Sequence, residues 1–286
     1  MILFYFENGR LGNQLFQYAA LKTMKKNDII ILFGFKSLEN TFEGVDAYFF
    51  GDRNSVLGRI LTKLFVIFFN IISRKLRLFN TICEIGLNGE VGVERRRGLF
   101  FGITYCSSGF FQGESFFKYE NLCDLKIKKN ITDKVKKKIK EIKADNKIKI
   151  FMHIRRGDYI NYPNSEKPAV IPAFWYKKMM KEVRLLTCNP FFIVCTDDVP
   201  YAIEIFGDSL DVFISNGEKE DFDFALMSEC DGGILSASSF AWWAAYFIHL
   251  RNPKALLFAP KYWIGHASNV WNPESIKTPW ITYTTV

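Results

Sequence analysis

From residue 148 onward, short apolar runs alternate with longer segments of helical period. This alternation constrains the fold more than any other feature of the chain. It predicts strands at 149–154, 191–195, 211–214, 232–235 and 255–258. Between them it predicts helices at 173–186, 199–206, 220–230 and 240–250. Unbroken apolar strands joined through helices argue for a doubly wound parallel sheet with both faces covered. Such sheets bind ligands at the carboxyl ends of their strands.

The first half is less regular. Ile2 to Phe6 reads as a buried strand, and a turn follows at Gly9-Arg10-Leu11-Gly12. Leu15, Phe16, Ala19 and Ala20 then recur at helical spacing, with Asn13 where that helix begins. Residues 28–33 read as a second strand, and 34–125 show only a mixed α/β character. Residues 126–149 hold eleven Lys against three acids. A nucleic-acid arm is one reading of such a run. Ile131, Val135, Ile139 and Ile142 share a helical face, however, so the lysines are the wetted side of an amphipathic helix capped by Thr132. At 286 residues the chain has room for two medium domains. The expected division is 1–146 and 147–286.

The formal charge of +8 favours an anionic partner, whether nucleic acid, a lipid surface or a phosphorylated substrate. The six cysteines include no CxxC pair, and the three histidines form no zinc-type cluster with them. They read as free thiols in a reducing compartment. MILFYFENGR lacks a basic flank and does not read as a signal peptide. The most apolar run, 60–72, is too short to span a bilayer and is followed by Arg74, Lys75 and Arg77. It is either a buried helix or a membrane-surface helix with a basic flank.

Three clusters carry chemistry, each at a predicted strand end. The first is His153-Ile154-Arg155-Arg156-Gly157-Asp158. Alternation sends His153 and Arg155 to one side and Arg156 to the other, so one guanidinium faces a pocket and the other pairs with a carboxylate. A guanidinium fork matches phosphate oxygens; the bland alternative is a surface salt bridge. The second is Thr196-Asp197-Asp198, where a carboxylate either reads a guanine-type base edge or caps the next helix. The third is Ser236-Ala237-Ser238-Ser239-Phe240, which opens a helix and offers amides and hydroxyls to an anion, or simply an N-cap. Trp242 and Trp243 behind it read as packing. Together these are the parts needed for a nucleoside diphosphate. No GxxxxGK[ST] loop is present, and the turn at Gly9 lacks the GxGxxG spacing. An Asp-x-Asp pair for a metal-held pyrophosphate is not expected in this chain.

In order, GRLGNQLFQYA at 9–19, SSGFFQGESFF at 107–117, HIRRGDY at 153–159, FIVCTDD, LMSECDGGILSASSFAWWAAYF and APKYWIG resemble the motifs of the bacterial α-1,2-fucosyltransferases of glycosyltransferase family 11. The resemblance implies a GT-B-type α/β fold of two facing Rossmann-like domains. The first would lie on the acceptor side and the second would hold the donor. It implies transfer of L-fucose from GDP-fucose, with inversion and without a metal or other cofactor. The acceptor would be the 2-hydroxyl of a terminal galactose on a β-galactoside oligosaccharide of a surface polysaccharide or O-antigen, with a lipid-linked form of that oligosaccharide as one acceptor. By the same resemblance Arg155 contacts the β-phosphate, and His153, Arg156 and Asp158 shape the donor site. Asp197 or Asp198 reads guanine. Ser238, Ser239 and the Phe240 amide contact the pyrophosphate, and Asn13 approaches from the opposing domain. Asp158 is the first candidate for general base and Glu166 the second. Transfer of another GDP-deoxysugar, or of fucose in another linkage, is the alternative, and non-catalytic binding of an anionic ligand a more distant one. The expected setting is the bacterial cytoplasm, with peripheral contact to an anionic membrane and no nucleic-acid partner.

Overall fold

The computed structural model describes every residue except Met1, Lys26, 52–59, 61–62, 70, 72–76, 88–89 and 217–218. Its contacts cluster into two compact units, Met1–Lys126 and Ile127–Val286.

In the first unit, β1 (Ile2–Phe6) leads through a turn into α1 (Leu11–Met24). Then come β2 (Ile29–Phe33), α2 (Lys36–Thr41), β3 (Tyr48–Phe50), β4 (Phe79–Leu87), β5 (Glu90–Arg96) and β6 (Phe100–Ser108). The sheet order is β3-β2-β1-β6-β4-β5, and only β4 and β5 pair antiparallel. Successive side chains of β1 point to opposite faces. Phe4 and Phe6 pack with Tyr105 on one face, while Tyr5 meets Phe35 and Phe111 on the other. Ala19 and Ala20 of α1 are fully buried, as expected of a helix laid against the sheet.

The apolar run at 60–72 is partly outside the described residues. Residues 63–69 are helical, with Val66 and Phe69 on the Phe4–Phe6–Tyr105 cluster. The expectation of a buried helix is corrected, because Leu64, Ile67, Phe68 and Ile71 lie in solvent. One side of this helix completes the core, and the other is about half exposed.

The second unit begins with α3 (Lys129–Glu141). Ile131, Val135 and Ile139 are buried while the lysines between them face water, as the spacing predicts. Thr132 does not cap this helix. Its hydroxyl donates to the Lys129 carbonyl at 2.9 Å inside the first turn. Lys138 lies over the Phe213 ring, so α3 packs on the second unit. That moves the division from 146 to 126.

The remaining elements are β7 (Ile148–Ile154), α4 (Ala173–Leu186), β8 (Pro190–Thr196), α5 (Val199–Phe206), β9 (Val212–Ile214), α6 (Glu220–Ser228), β10 (Gly232–Ile234), α7 (Ser239–Arg251), β11 (Leu257–Pro260) and β12 (Thr282–Thr284). The sheet is wholly parallel, in the order β9-β8-β7-β10-β11-β12. β7 therefore sits inside the sheet, between β8 and β10. Its even-numbered residues Ile150, Met152 and Ile154 pack with Trp175, Met179, Phe192 and Val194. The expected closing strand at 255–258 is β11, shifted by two residues, and β12 follows it. No helix among the described residues is long and apolar enough to cross a membrane.

The close approach of β10 to β7 depends on glycine. A Cβ at Gly233 would lie 2.2 Å from the buried Phe151 ring. Gly233→Ala is expected to lower the urea unfolding free energy by roughly 1–3 kcal/mol through overpacking. An unchanged midpoint would show that the two strands have room to separate.

Candidate active site

The site is built where β7 and β8 end. β7 and β8 pair in register through His153 with Cys195 and Ile154 with Thr196. The residues just beyond, 155–158 and 197–198, therefore emerge side by side at the carboxyl edge.

Arg155 donates from Nε to Asp158 Oδ1 at 2.9 Å, and its second terminal nitrogen reaches the same oxygen. Its Nη1 lies 3.3 Å from Asp197 Oδ2, and its guanidinium sits 5.5 Å from the Tyr159 ring centroid. Arg156 donates its backbone N–H to Asp197 Oδ1 at 2.8 Å and its Nε to Asp198 Oδ2 at 2.9 Å. Its guanidinium stacks 3.7 Å above the Tyr201 ring. Asp198 also caps α5, accepting from the Tyr201 N–H at 3.2 Å. Gly157 permits the turn, since a Cβ there would lie 2.8 Å from Asp197 Oδ2.

One arginine is expected to face a pocket and the other to pair with a carboxylate; both guanidinium groups are paired. The two pairings differ in kind. Arg156 is stacked and held to Asp198, which is itself tied to a helix terminus. Arg155 is held by Asp158, whose side chain is 61% exposed. An ion pair with one partner in water contributes about 0–1 kcal/mol. Arg155 can thus exchange Asp158 for another anion at small cost, and Arg156 cannot leave so easily. Each oxygen of Asp197 and Asp198 already faces a donor of the loop or of α5, so these carboxylates act on the arginines and the helix. Reading a base edge would compete with that.

His153 is buried on the opposite face of β7 from the Trp175 cluster. Its Nδ1 lies 2.7 Å from Ser236 Oγ, and its ring lies 5.6 Å from that of Phe240. Burial pushes the imidazole down to about 4, with Asp197 opposing weakly. The ring is therefore neutral at pH 7 and binds β7 to the 236–239 loop. Tyr159 reinforces this link by donating to the Ala237 carbonyl at 2.7 Å. The loop then delivers Ser238 as the residue before α7 and Ser239 and Phe240 as its first residues. Ser238 makes no side-chain cap to α7. Trp242 and Trp243 behind them are fully buried packing, as expected.

Tyr201 is a site residue that the motif reading passed over, although it lies three residues after Asp198 at a strand end. Tyr159 and Ser236 stand inside the motifs at 153–159 and 236–240, which assigned them no contact of their own.

In the first unit, Asn13 Oδ1 accepts from Gln112 Nε2 at 2.8 Å, linking the GNQ turn to the aromatic-Gln segment. Gln14 and Gln17 are buried and tie α1 to its surroundings. Gln14 Nε2 donates to Glu7 at 2.8 Å, its Oε1 accepts from Leu38 N–H at 2.9 Å, and Gln17 Nε2 donates to the Asn8 carbonyl at 2.7 Å. The turn is thus fixed by glutamines, and a Cβ at Gly9 would strike Asn13. Glu166 is exposed on the loop after Tyr159.

An Asp-x-Asp string does occur, at Asp221 and Asp223, which corrects the expectation of none. It lies within α6, where Asp223 accepts from the Ser215 hydroxyl at 2.6 Å. Among the described residues no His, Cys, Asp and Glu side chains gather as a metal-binding group.

Two α/β units built on largely parallel sheets, the second ending an inner strand in paired arginines, have the architecture of a glycosyltransferase of the GT-B fold class. The chain belongs to glycosyl transferase family 11, whose model matches residues 90–281. It is 24% identical over 298 residues to the O-antigen biosynthesis glycosyltransferase WbnK of Escherichia coli, covering 90% of this chain and 93% of that one. It is 29% identical over 271 residues to an Escherichia coli alpha-1,2-colitosyltransferase, covering 89% and 90%. It is 29% identical over 154 residues to rat galactoside alpha-(1,2)-fucosyltransferase 1, covering 46% and 40%. Among solved structures, NodZ alpha-1,6-fucosyltransferase soaked with GDP-fucose superposes with a TM-score of 0.53 at 13% identity, covering 90% of this chain and 94% of that one. A family 9 glycosyl transferase from Veillonella parvula gives 0.54 at 12% identity, covering 99% and 86%. The resemblance read from the motifs and the expected fold class both hold.

The His153 environment generates a pH prediction. Its folded pKa lies below the unfolded value of about 6.5. The unfolded chain therefore binds the extra proton first, and stability is lost as pH falls from about 6.5 toward 4. Unfolding free energy is expected to be about 2 kcal/mol lower at pH 5 than at pH 7 on this group's account. His153→Gln should remove that portion of the pH dependence in paired urea titrations. An identical slope in the variant would place the proton uptake elsewhere.

Proposed function

We propose that the protein is an inverting α-1,2-fucosyltransferase that moves L-fucose from GDP-fucose to the 2-hydroxyl of a terminal galactose on a surface-polysaccharide or O-antigen oligosaccharide. The observation that carries this reading is the Arg155 guanidinium, held at the carboxyl end of a buried strand by a carboxylate that water already surrounds. The family membership and the similarity to O-antigen and α-1,2-transferases support it.

In this reading the second unit holds the donor and the first presents the acceptor. The pyrophosphate enters between Arg155 and the start of α7, where Ser238, Ser239 and the Phe240 amide donate to it. Arg155 releases Asp158 and takes the β-phosphate oxygens. Arg156, Asp197 and Asp198 keep the loop in place, and His153 keeps the 236–239 loop in register with it. As the bond from fucose C1 to the β-phosphate oxygen breaks, negative charge grows on that phosphate. A preorganised guanidinium there stabilises the transition state more than the ground state. The acceptor oxygen forms its bond to C1 from the opposite face. Its proton passes to a general base. Asp158 is the first choice, because the exchange that neutralises the phosphate also frees its carboxylate; Glu166 is the second. Asn13, fixed by Gln112, orients the acceptor. Charge is neutralised by the arginine and the helix dipole, so the reaction needs no metal or other cofactor.

Transfer of another GDP-linked deoxysugar is the second reading, favoured by the similarity to the colitosyltransferase. A side-by-side assay of GDP-sugars with linkage analysis of the product separates the two. For the main reading, Arg155→Ala is expected to lower GDP-fucose turnover on the order of 10²–10³-fold. Asp158→Asn should lower it by 10²-fold or more if Asp158 is the base, roughly the contribution of one such group. A chelator should leave turnover unchanged. Near wild-type turnover in a folded Arg155→Ala protein would overturn the assignment.

A further inference from the structure

The carboxyl edge of the first sheet is held by a carboxylate that lies outside every motif. β1 pairs parallel with β6, and β4 pairs parallel with β6 on its other side. The turn at Gly9, the chain after Ser108 and the end of β4 therefore emerge at one edge. The β4–β6 register slips by one residue there, with Ile82 opposite Cys106 and Cys83 opposite Ser108. Such a bulge re-aims the chain where pairing ends. The next residue of β4, Glu84, meets the turn that follows β6. Its Oε2 accepts from the Phe110 N–H at 2.7 Å and from the Phe111 N–H at 3.0 Å. Two amides on one charged oxygen make a stronger hold than a neutral pair does.

That turn has a shape the chain seldom adopts. Gly109 has a φ of 134°, and a Cβ there would lie 2.7 Å from Glu84 Cβ. Phe111 has a φ of 53°, in the left-handed region that bulky side chains avoid. The Phe111 ring is fully buried, 6.4 Å from Tyr5 and 5.5 Å from Phe116. The Tyr5 hydroxyl donates to the Gly109 carbonyl. Burial, with Cys106 and Glu84 nearby, pushes this phenol far above its usual range, so it stays a donor. The turn then delivers Gln112, whose Nε2 donates to Asn13 Oδ1 at 2.8 Å. This bond settles which end of the Asn13 amide carries the oxygen. The Asn13 nitrogen lies on the Gly9 side, 2.3 Å from where a Cβ would stand.

We propose that Glu84 is a positioning residue for the transfer: its carboxylate locks the turn at 109–111, the turn sets Gln112, and Gln112 sets the Asn13 amide that meets the acceptor. The inference rests on the proposed reaction, in which Asn13 orients the acceptor. Glu84 acts only through the turn, so its influence falls on the acceptor and leaves the donor contacts of the second unit alone.

Initial rates with GDP-fucose and lactose test this. Glu84→Ala is expected to raise the KM for lactose roughly tenfold, about what one charge-assisted hydrogen bond is worth. GDP affinity, measured by calorimetry, should stay at the wild-type value. Glu84→Gln keeps an oxygen within reach of both amides and should restore most of the lactose affinity. Gln112→Ala leaves the turn in place and should reproduce the Glu84→Ala effect, which keeps the test open if Glu84→Ala does not fold. Hydrogen exchange over 109–112 follows the turn without any sugar; it should quicken in Glu84→Ala and not in Glu84→Gln. A wild-type KM for lactose in either alanine variant would overturn the proposal. So would an equal loss of GDP affinity, since Glu84 would then support the fold as a whole. Absence of transfer by the wild-type protein would count against the reaction itself, and the exchange rates would still decide whether Glu84 locks the turn.

Discussion

Two guanidinium groups at the edge of a buried parallel sheet need partners wherever they point, and the way they are partnered organises the whole second unit. Asp197 accepts from the backbone of one arginine and faces the side chain of the other. Asp198 holds Arg156 and starts α5. These carboxylates thereby bind the end of β7 to the end of β8. Only Asp158 stands outside this frame, in water, on a loop whose neighbour Tyr159 is anchored to Ala237. The arrangement separates a fixed arginine from an exchangeable one without altering their chemistry. Preorganisation at the developing charge is where such a site gains its rate.

The burial of His153 belongs to the same design. An imidazole inside the sheet is costly to charge, so it stays neutral and acts as a hydrogen-bonding strut to Ser236. That contact and the Phe240 ring set where α7 begins. A helix of apolar residues, with Trp242 and Trp243 fully buried, then fixes the axis along which its dipole points. Packing deep in the unit and polar order at its edge are thus two ends of one element. In the first unit buried glutamines do the corresponding work, tying the turn before Asn13 to β1 and α2.

The second unit was largely legible in the sequence because its strands are buried on both faces and its helices are long enough to show their period. Ala173–Leu186 and Val199–Phe206 fall where the pattern puts them. The first unit was less so. β4 and β5 are antiparallel and half wet, and β4 shifts register against β6, so Phe79–Leu87 and Glu90–Arg96 lack a continuous apolar run. β12 is three residues of Thr and Tyr, with no period to detect. The apolar run at 60–72 reads as either a buried or a surface helix for a different reason. An apolar helix looks alike whether it is covered on one side or two, and only the fold shows which. The same limit applies at the site: the residue types in 153–158 gave the chemistry, but the carboxylate that each arginine takes depends on how β7 and β8 meet.

The exchange at Arg155 is the step on which the catalytic account turns, and a structure of the protein with bound GDP observes it directly. The account predicts the Arg155 guanidinium within hydrogen-bond distance of β-phosphate oxygens, its contact with Asp158 broken and Arg156 still stacked on Tyr201. An intact Arg155–Asp158 pair with the pyrophosphate bound elsewhere would contradict it.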